Sequence, residues 1–243
     1  MKAIAVIPAR LASTRLPQKM LRLVAGQPLI VRVYQGVRSA TFLDDVIVAT
    51  DAPEIREVCE KHGFQVRMTS PAHRSGTERV HEVAEAVPAD VYINVQGDEP
   101  LVRADHMALL LDVMKDPKVE VGTLKVAATV EDVHNPNAVK VVTDDQGRAL
   151  YFSRATIPFD RDGLQPKYYK HLGFYAYRKS ALERFRGLPE SSLERTEKLE
   201  QLRFLQNGIA IQVAETLHDT IGVDTEEDLR RAEELIRRGA PVI

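Results

Sequence analysis

The chain has no tryptophan, a single cysteine, only 6% aromatic residues and no surplus of positive charge. Each shortage closes a door. With Cys59 alone there is no internal disulfide and no thiolate-rich metal site. A formal net charge of −2 gives no basic surface for nucleic acid or an anionic membrane. The seven histidines show no metal-ligand spacing and no H-E-x-x-H. The opening apolar run, Ala3–Ile7, is too short for a signal peptide or a membrane span, so a soluble, cytoplasmic protein is expected. Neither G-x-x-x-x-G-K-[ST] nor a G-x-G-x-x-G after the first strand occurs, which disfavours a P-loop NTPase and a dinucleotide dehydrogenase.

What remains is ample for a globular enzyme. The 243 residues are 44% hydrophobic, enough for one large α/β domain. Strand patterns over Ala3–Ile7, Val46–Ala49, Phe64–Met68 and Val91–Val95 alternate with helix patterns over Leu29–Arg38, Pro53–His62 and Thr77–Val87. Such alternation predicts a parallel, doubly wound sheet with right-handed crossovers. Within Pro53–His62, Ile55, Val58, Cys59 and His62 share one helical face, which makes Cys59 a small core residue and not a reactive thiol. In the middle, Val139–Thr143 and Arg148–Phe152 flank Asp144-Asp145-Gln146-Gly147 and read as a hairpin. Ile157–Tyr169 reads as a loop, His171–Tyr177 as a strand, Ser191–Asn207 as one helix closed by Gly208, and Ile209–Val213 as a short strand. The last helix starts at an N-cap Thr225 and runs to about Arg238.

The polar loops that follow the strands carry the chemistry. Ligands of an open parallel sheet sit beyond the carboxyl ends of its strands. The first strand runs into Pro8-Ala9-Arg10-Leu11-Ala12-Ser13-Thr14-Arg15-Leu16-Pro17-Gln18-Lys19, whose three cations suit a nucleoside triphosphate: Arg as a planar fork, Lys as a point charge. The fourth strand runs into Gln96-Gly97-Asp98-Glu99-Pro100. A triphosphate travels with Mg²⁺, which favours one or two carboxylates alongside phosphate oxygens; Asp98 is the first candidate, against a turn residue bonding its own backbone. Asp224 is the second, although Asp and Thr before a helix are also routine caps. His73-Arg74-Ser75-Gly76-Thr77-Glu78-Arg79 precedes a helix and exposes backbone N–H groups to base edges or phosphates.

Together these loops resemble the 3-deoxy-manno-octulosonate (Kdo) cytidylyltransferase family. Besides the first loop, Ser75-Gly76-Thr77 and Gln96-Gly97-Asp98-Glu99-Pro100, the resemblance rests on Tyr151-Phe152-Ser153-Arg154, His171-Leu172-Gly173-Phe174-Tyr175, Leu199-Glu200-Gln201-Leu202-Arg203 and Gly222-Val223-Asp224-Thr225. It implies a Rossmann-like, mostly parallel sheet of the nucleotide-diphospho-sugar transferase type, as a single domain over 1–243. Residues 132–205 would form a smaller lobe for sugar binding and dimer contact. It implies transfer of CMP from CTP to the anomeric hydroxyl of Kdo, releasing pyrophosphate and supplying CMP-Kdo to lipopolysaccharide synthesis, in a homodimer.

By the same resemblance, Arg10, Arg15 and Lys19 hold the CTP phosphates in the Ser13 loop. Ala9 with Arg74, Ser75 and Gly76 lines the cytosine side, and Asp98 and Asp224 bind Mg²⁺. Gln96, Arg154, His171, Tyr175 and Glu200 contact the sugar acid. Taken alone, Arg154 could be a surface strand residue, Tyr175 core, Glu200 an exposed helix charge and His171 structural. Two departures stand out: Gln18-Lys19-Met20 where the family often has Gly and Pro around the lysine, and Glu78 where it commonly has Asp. A cytidylyltransferase for a sialic acid or an amino-substituted Kdo is the nearest alternative. A non-catalytic nucleotide sensor on the same fold is the alternative of a different class.

Overall fold

The computed structural model describes residues 1–13 and 15–239; Thr14 of the first loop lies outside the described residues. In chain order the elements are β1 (Ala3–Ala9), a 3₁₀ turn (Lys19–Leu21), β2 (Leu23–Val24), β3 (Gln27–Pro28), α1 (Leu29–Arg38), β4 (Asp45–Thr50), α2 (Pro53–Lys61), β5 (Gln65–Met68), α3 (Gly76–Ala86) and β6 (Val91–Asn94). There follow α4 (Ala104–Val113), β7 (Val121–Ala127), α5 (Val130–His134), β8 (Lys140–Thr143), β9 (Ala149–Ser153) and β10 (Tyr169–Tyr177). The chain continues through α6 (Lys179–Gly187), α7 (Ser192–Glu197), α8 (Leu202–Gln206), β11 (Ile211–Thr216) and α9 (Glu226–Arg238).

The main sheet has the order β11-β7-β10-β6-β1-β4-β5. Pairing is parallel throughout except at β10, which is antiparallel to both β6 and β7. The β8–β9 hairpin joins through β8 against β10. The alternating residues of β1 explain why the sheet is covered on both faces. Ala3, Ala5, Ile7 and Ala9 enter one core cluster with α1, α2, α4 and α9, while Ile4 and Val6 enter the other with α3, α6 and α8. A strand buried on both faces reads as a continuous apolar run because neither side meets water.

Local signals set the helix ends. Ser75 caps α3 by accepting from the Glu78 N–H at 3.3 Å, and Thr225 and Asp228 form a reciprocal capping box at the start of α9. Cys59 is fully buried in the core of α2, and Gly147 turns the β8–β9 hairpin at φ 76°.

Three departures from the sequence pattern stand out. Ser191–Asn207 is two short helices, because Lys198 adopts φ 54° and ends α7 in a left-handed turn. The last sheet strand is Ile211–Thr216 and not Ile209–Val213. Residues 101–138 and 178–190, which carry no sequence assignment, supply α4, β7, α5 and α6.

Candidate active site

The crevice opens where β1, β6 and β10 meet. Gly97 permits this closeness: a Cβ there would lie 2.9 Å from both the Pro8 carbonyl oxygen and Met20 Sδ. The loop after β6 is thus seated against the end of β1 and against the 3₁₀ turn that begins at Lys19. Gln18 enters that turn at φ 52°, ψ 33°, a left-handed conformation that glycine adopts without strain and glutamine does not. This is the physical content of the departure beside the lysine.

Asp98 and Asp224 converge on one point. Lys19 Nζ donates to Asp98 Oδ2 at 2.6 Å and to Asp224 Oδ1 at 2.9 Å. Arg15 Nη2 donates to Asp224 Oδ2 at 2.8 Å. The lysine is held deep in the structure, its side chain 9% exposed, whereas the Arg15 side chain is 62% exposed. Burial opposes the Lys19 charge, but the field of Asp98 and the hydrogen bonds to both carboxylates outweigh it and raise the lysine pKa. Among the described residues no three His, Cys, Asp or Glu side chains cluster as a metal cage. Two convergent carboxylates nevertheless match what a hard cation that also takes phosphate oxygens requires.

From this pair a cleft of about 870 Å³ extends across β6 and β10. Arg15, Gln96, Asp98, Arg154, His171, Tyr175, Glu200 and Asp224 all line it. Residues from six separate segments are thereby brought together, including the five assigned to the sugar acid. Arg154 is half-buried and already anchored: its Nε donates to the Glu197 carbonyl at 2.8 Å and one terminal nitrogen to the Pro136 carbonyl at 3.0 Å. Thr123 Oγ1 donates to the Phe174 carbonyl at 2.7 Å and lies 3.0 Å from His171 Nε2. That network assigns the Nε2–H tautomer and leaves Nδ1 as an acceptor. Burial pushes the His171 imidazole down to about 3, so it is neutral at physiological pH. The Tyr175 hydroxyl is buried without a partner, and burial with the neighbouring Tyr177 raises its pKa. Glu200 accepts from Thr77 Oγ1, and burial raises its pKa.

The nucleotide-side candidates are distributed less compactly. Ala9 ends β1, fully buried. Gly76 approaches both β1 and the β6 loop, its Cβ position 3.3 Å from Pro8 Cγ and 3.5 Å from Gln96 Oε1. Ser75 is engaged as the α3 cap, Arg74 is exposed, and Ser13 Oγ accepts from the Leu16 N–H at 3.4 Å. Arg10 does not open into the 870 Å³ cleft; it lines a neighbouring pocket of about 520 Å³ with Asp51, His73 and Arg79. Arg79 there is fully buried and donates to Asp51 Oδ2 at 2.6 Å and to Thr69 Oγ1 at 2.6 Å, tying the start of α3 to the ends of β4 and β5.

Glu99, which also lines the cleft, carries no role from the sequence. Glu99 Oε2 is buried without a hydrogen-bond partner, and burial together with Asp98 pushes its carboxyl up to about 7. Its place in Gln96-Gly97-Asp98-Glu99-Pro100 was the only available signal.

The sequence pattern of the family described as cytidylyltransferase matches residues 4–213. A 3-deoxy-manno-octulosonate cytidylyltransferase of Koribacter versatilis is 65% identical over 97% of this chain and 90% of its own length. One from Acidobacterium capsulatum is 52% identical, covering 97% of each. A solved structure of CMP:2-keto-3-deoxy-manno-octonic acid synthetase complexed with CTP superposes with a TM-score of 0.94 at 41% identity, covering 99% of this chain and 100% of that one. A solved structure of a cytidylyltransferase from Leptospira borgpetersenii shares the fold at 17% identity, with a TM-score of 0.64 over 98% of this chain and 87% of that one.

Proposed function

This chain belongs to the cytidylyltransferase family, and from that premise we propose that it transfers CMP from CTP to the anomeric hydroxyl of Kdo, with pyrophosphate as the leaving group. The observation that carries the reading is the meeting of Asp98 and Asp224 on Lys19, at one end of a cleft that Gln96, Arg154, His171, Tyr175 and Glu200 line.

The sugar oxygen forms a bond to the α-phosphorus as the bond to the pyrophosphate oxygen breaks, and the hydroxyl proton leaves to solvent. Such a displacement is governed by alignment and charge neutralisation. Arg10, Arg15 and Lys19 supply fixed positive charge to the phosphates. Arg154, preset by two backbone carbonyls, anchors the carboxylate of the sugar acid through charge-assisted hydrogen bonds. His171 Nδ1 and Glu200 accept from sugar hydroxyls, while Gln96 and the partnerless Tyr175 hydroxyl donate. Asp98 and Asp224 would hold Mg²⁺, which when bound neutralises phosphate charge as a Lewis acid.

The cytoplasm as location and a homodimer as assembly state belong to the same proposal. No helix among the described residues is long and apolar enough to cross a membrane. Within 132–205, proposed as the sugar-binding and dimer-contact lobe, Leu150, Phe159 and Leu164 are 62%, 85% and 82% exposed, apolar surface that a second copy would cover.

Pyrophosphate release with CTP against a panel of sugar acids tests the reading. Kdo is expected to be the preferred acceptor. Preference for a sialic acid or an amino-substituted Kdo contradicts the substrate, and tight CTP binding without turnover on any acceptor favours the sensor.

A further inference from the structure

Asp98 and Asp224 come from loops 126 positions apart in sequence, yet a single ammonium bonds both, at 2.6 and 2.9 Å. Two carboxylates sharing one site repel each other unless a cation lies between them. Lys19 supplies that cation from a buried position, on a 3₁₀ turn whose neighbour Met20 packs into the core. The second cation on the pair differs in kind: Arg15 touches only the outer oxygen of Asp224 and is mostly exposed.

We infer that Lys19 is a placeholder for the divalent cation: before nucleotide arrives it occupies the shared locus of Asp98 and Asp224, and it surrenders that locus when the phosphates of CTP offer it new partners. This rests on the proposed reading of the two carboxylates as metal ligands. The ammonium and a dication compete for the same oxygens, so metal alone binds weakly and metal with triphosphate binds well. A lysine suits both tasks, because its compact charge sits on a flexible stem and pairs equally with carboxylate or phosphate. Competition for one site is a coupling free energy, and such couplings commonly amount to about 5- to 150-fold in affinity.

The test is Mn²⁺ binding read by electron paramagnetic resonance, without sugar acid. In the absence of nucleotide, Lys19→Met is expected to bind Mn²⁺ about 5- to 150-fold more tightly than wild type. Lys19→Gln serves the same comparison should the methionine variant fail to fold. The gain is expected to vanish when Asp98→Asn is added. Arg15→Gln, which removes equal charge from Asp224 at the exposed side, is expected to change the affinity less. Unchanged affinity in both lysine variants overturns the placeholder, as does a gain that survives Asp98→Asn or one that Arg15→Gln matches. The underlying reading is checked separately with CTP present: ternary Mn²⁺ binding that Asp98→Asn abolishes sustains it, and indifference to that substitution overturns both.

Discussion

Val223 donates its backbone N–H to the main-chain carbonyl of Asp98 at 2.8 Å. One peptide hydrogen bond therefore stitches the loop after β6 to the segment leading into α9, and it places the two acidic side chains next in line on the same face of the crevice. The carboxylate pair is a consequence of backbone registration and not of chance side-chain reach.

Gly97 governs the other border of that registration. Because an added Cβ would meet the Pro8 carbonyl and Met20 Sδ at 2.9 Å, Gly97→Ala must push the Asp98 loop away from β1 or the Lys19 turn. A loss of about 1–3 kcal/mol in unfolding free energy is expected, accompanied by a fall in kcat. Denaturant midpoints and pyrophosphate release measure the two. Unchanged stability with unchanged turnover would show that the loop is not pinned there.

Arg154 makes a sharper split. Its guanidinium is oriented by the carbonyls of Glu197 and Pro136, so it meets the sugar acid without reorganising. Removing a hydrogen bond to a charged group costs about 1.5–3 kcal/mol, roughly a 10- to 150-fold change in an equilibrium constant. Arg154→Ala should raise the KM for Kdo on that scale and leave the KM for CTP unaltered. Equal effects on both substrates would place its role in folding and not in recognition.

His171 predicts a pH dependence of stability. Burial holds the folded-state imidazole down at about 3, below the ~6.5 of an exposed histidine. As pH falls the unfolded chain takes up this proton first. The contribution of neutral His171 is therefore complete above about 6.5 and is lost progressively toward 3. His106 and His81 are also lowered, mainly by burial, so the difference between wild type and His171→Gln is the informative quantity. The variant should lose less unfolding free energy between pH 7 and pH 4; parallel curves would mean that His171 is protonated without penalty in the fold.

The main strands and helices of the first half were legible, as was the last helix, because they signal themselves locally. Ala3–Ala9 is apolar on both faces, Pro53 starts and Gly63 follows α2, and Ser75 and Thr225 cap their helices. In the middle the β8–β9 hairpin and β10 were legible, while α4, β7 and α5 were not, for the opposite reason. In α4 the buried His106, Met107 and Leu110 are joined by Leu109 and Leu111, which pack against the same core and blur the helical stripe. The reversal of β10 between β6 and β7 is a long-range pairing with no local signature. The left-handed Lys198 that divides α7 from α8 looks like any solvated lysine in a helical run.

The site divides along the same line. Strand-end logic reaches Arg10, Asp98 and Ser75 one loop at a time, and the family resemblance adds Arg154, His171, Tyr175 and Glu200. The resemblance also pairs Asp224 with Asp98, but residue types alone leave Asp224 a helix cap until the fold sets the two side by side, and Glu99 has no visible role until its buried oxygen is found without a donor.

A double-mutant cycle in kcat, with pyrophosphate release followed at saturating CTP, Kdo and Mg²⁺, addresses the reaction centre most directly. Asp98→Asn and Asp224→Asn should each lower kcat by at least about 10²-fold, the scale of one preorganised charge contact. Their combination should cost little more than either alone, since groups acting as a unit are strongly non-additive. Near-wild-type turnover in either single variant, or losses that simply multiply, would contradict a shared centre.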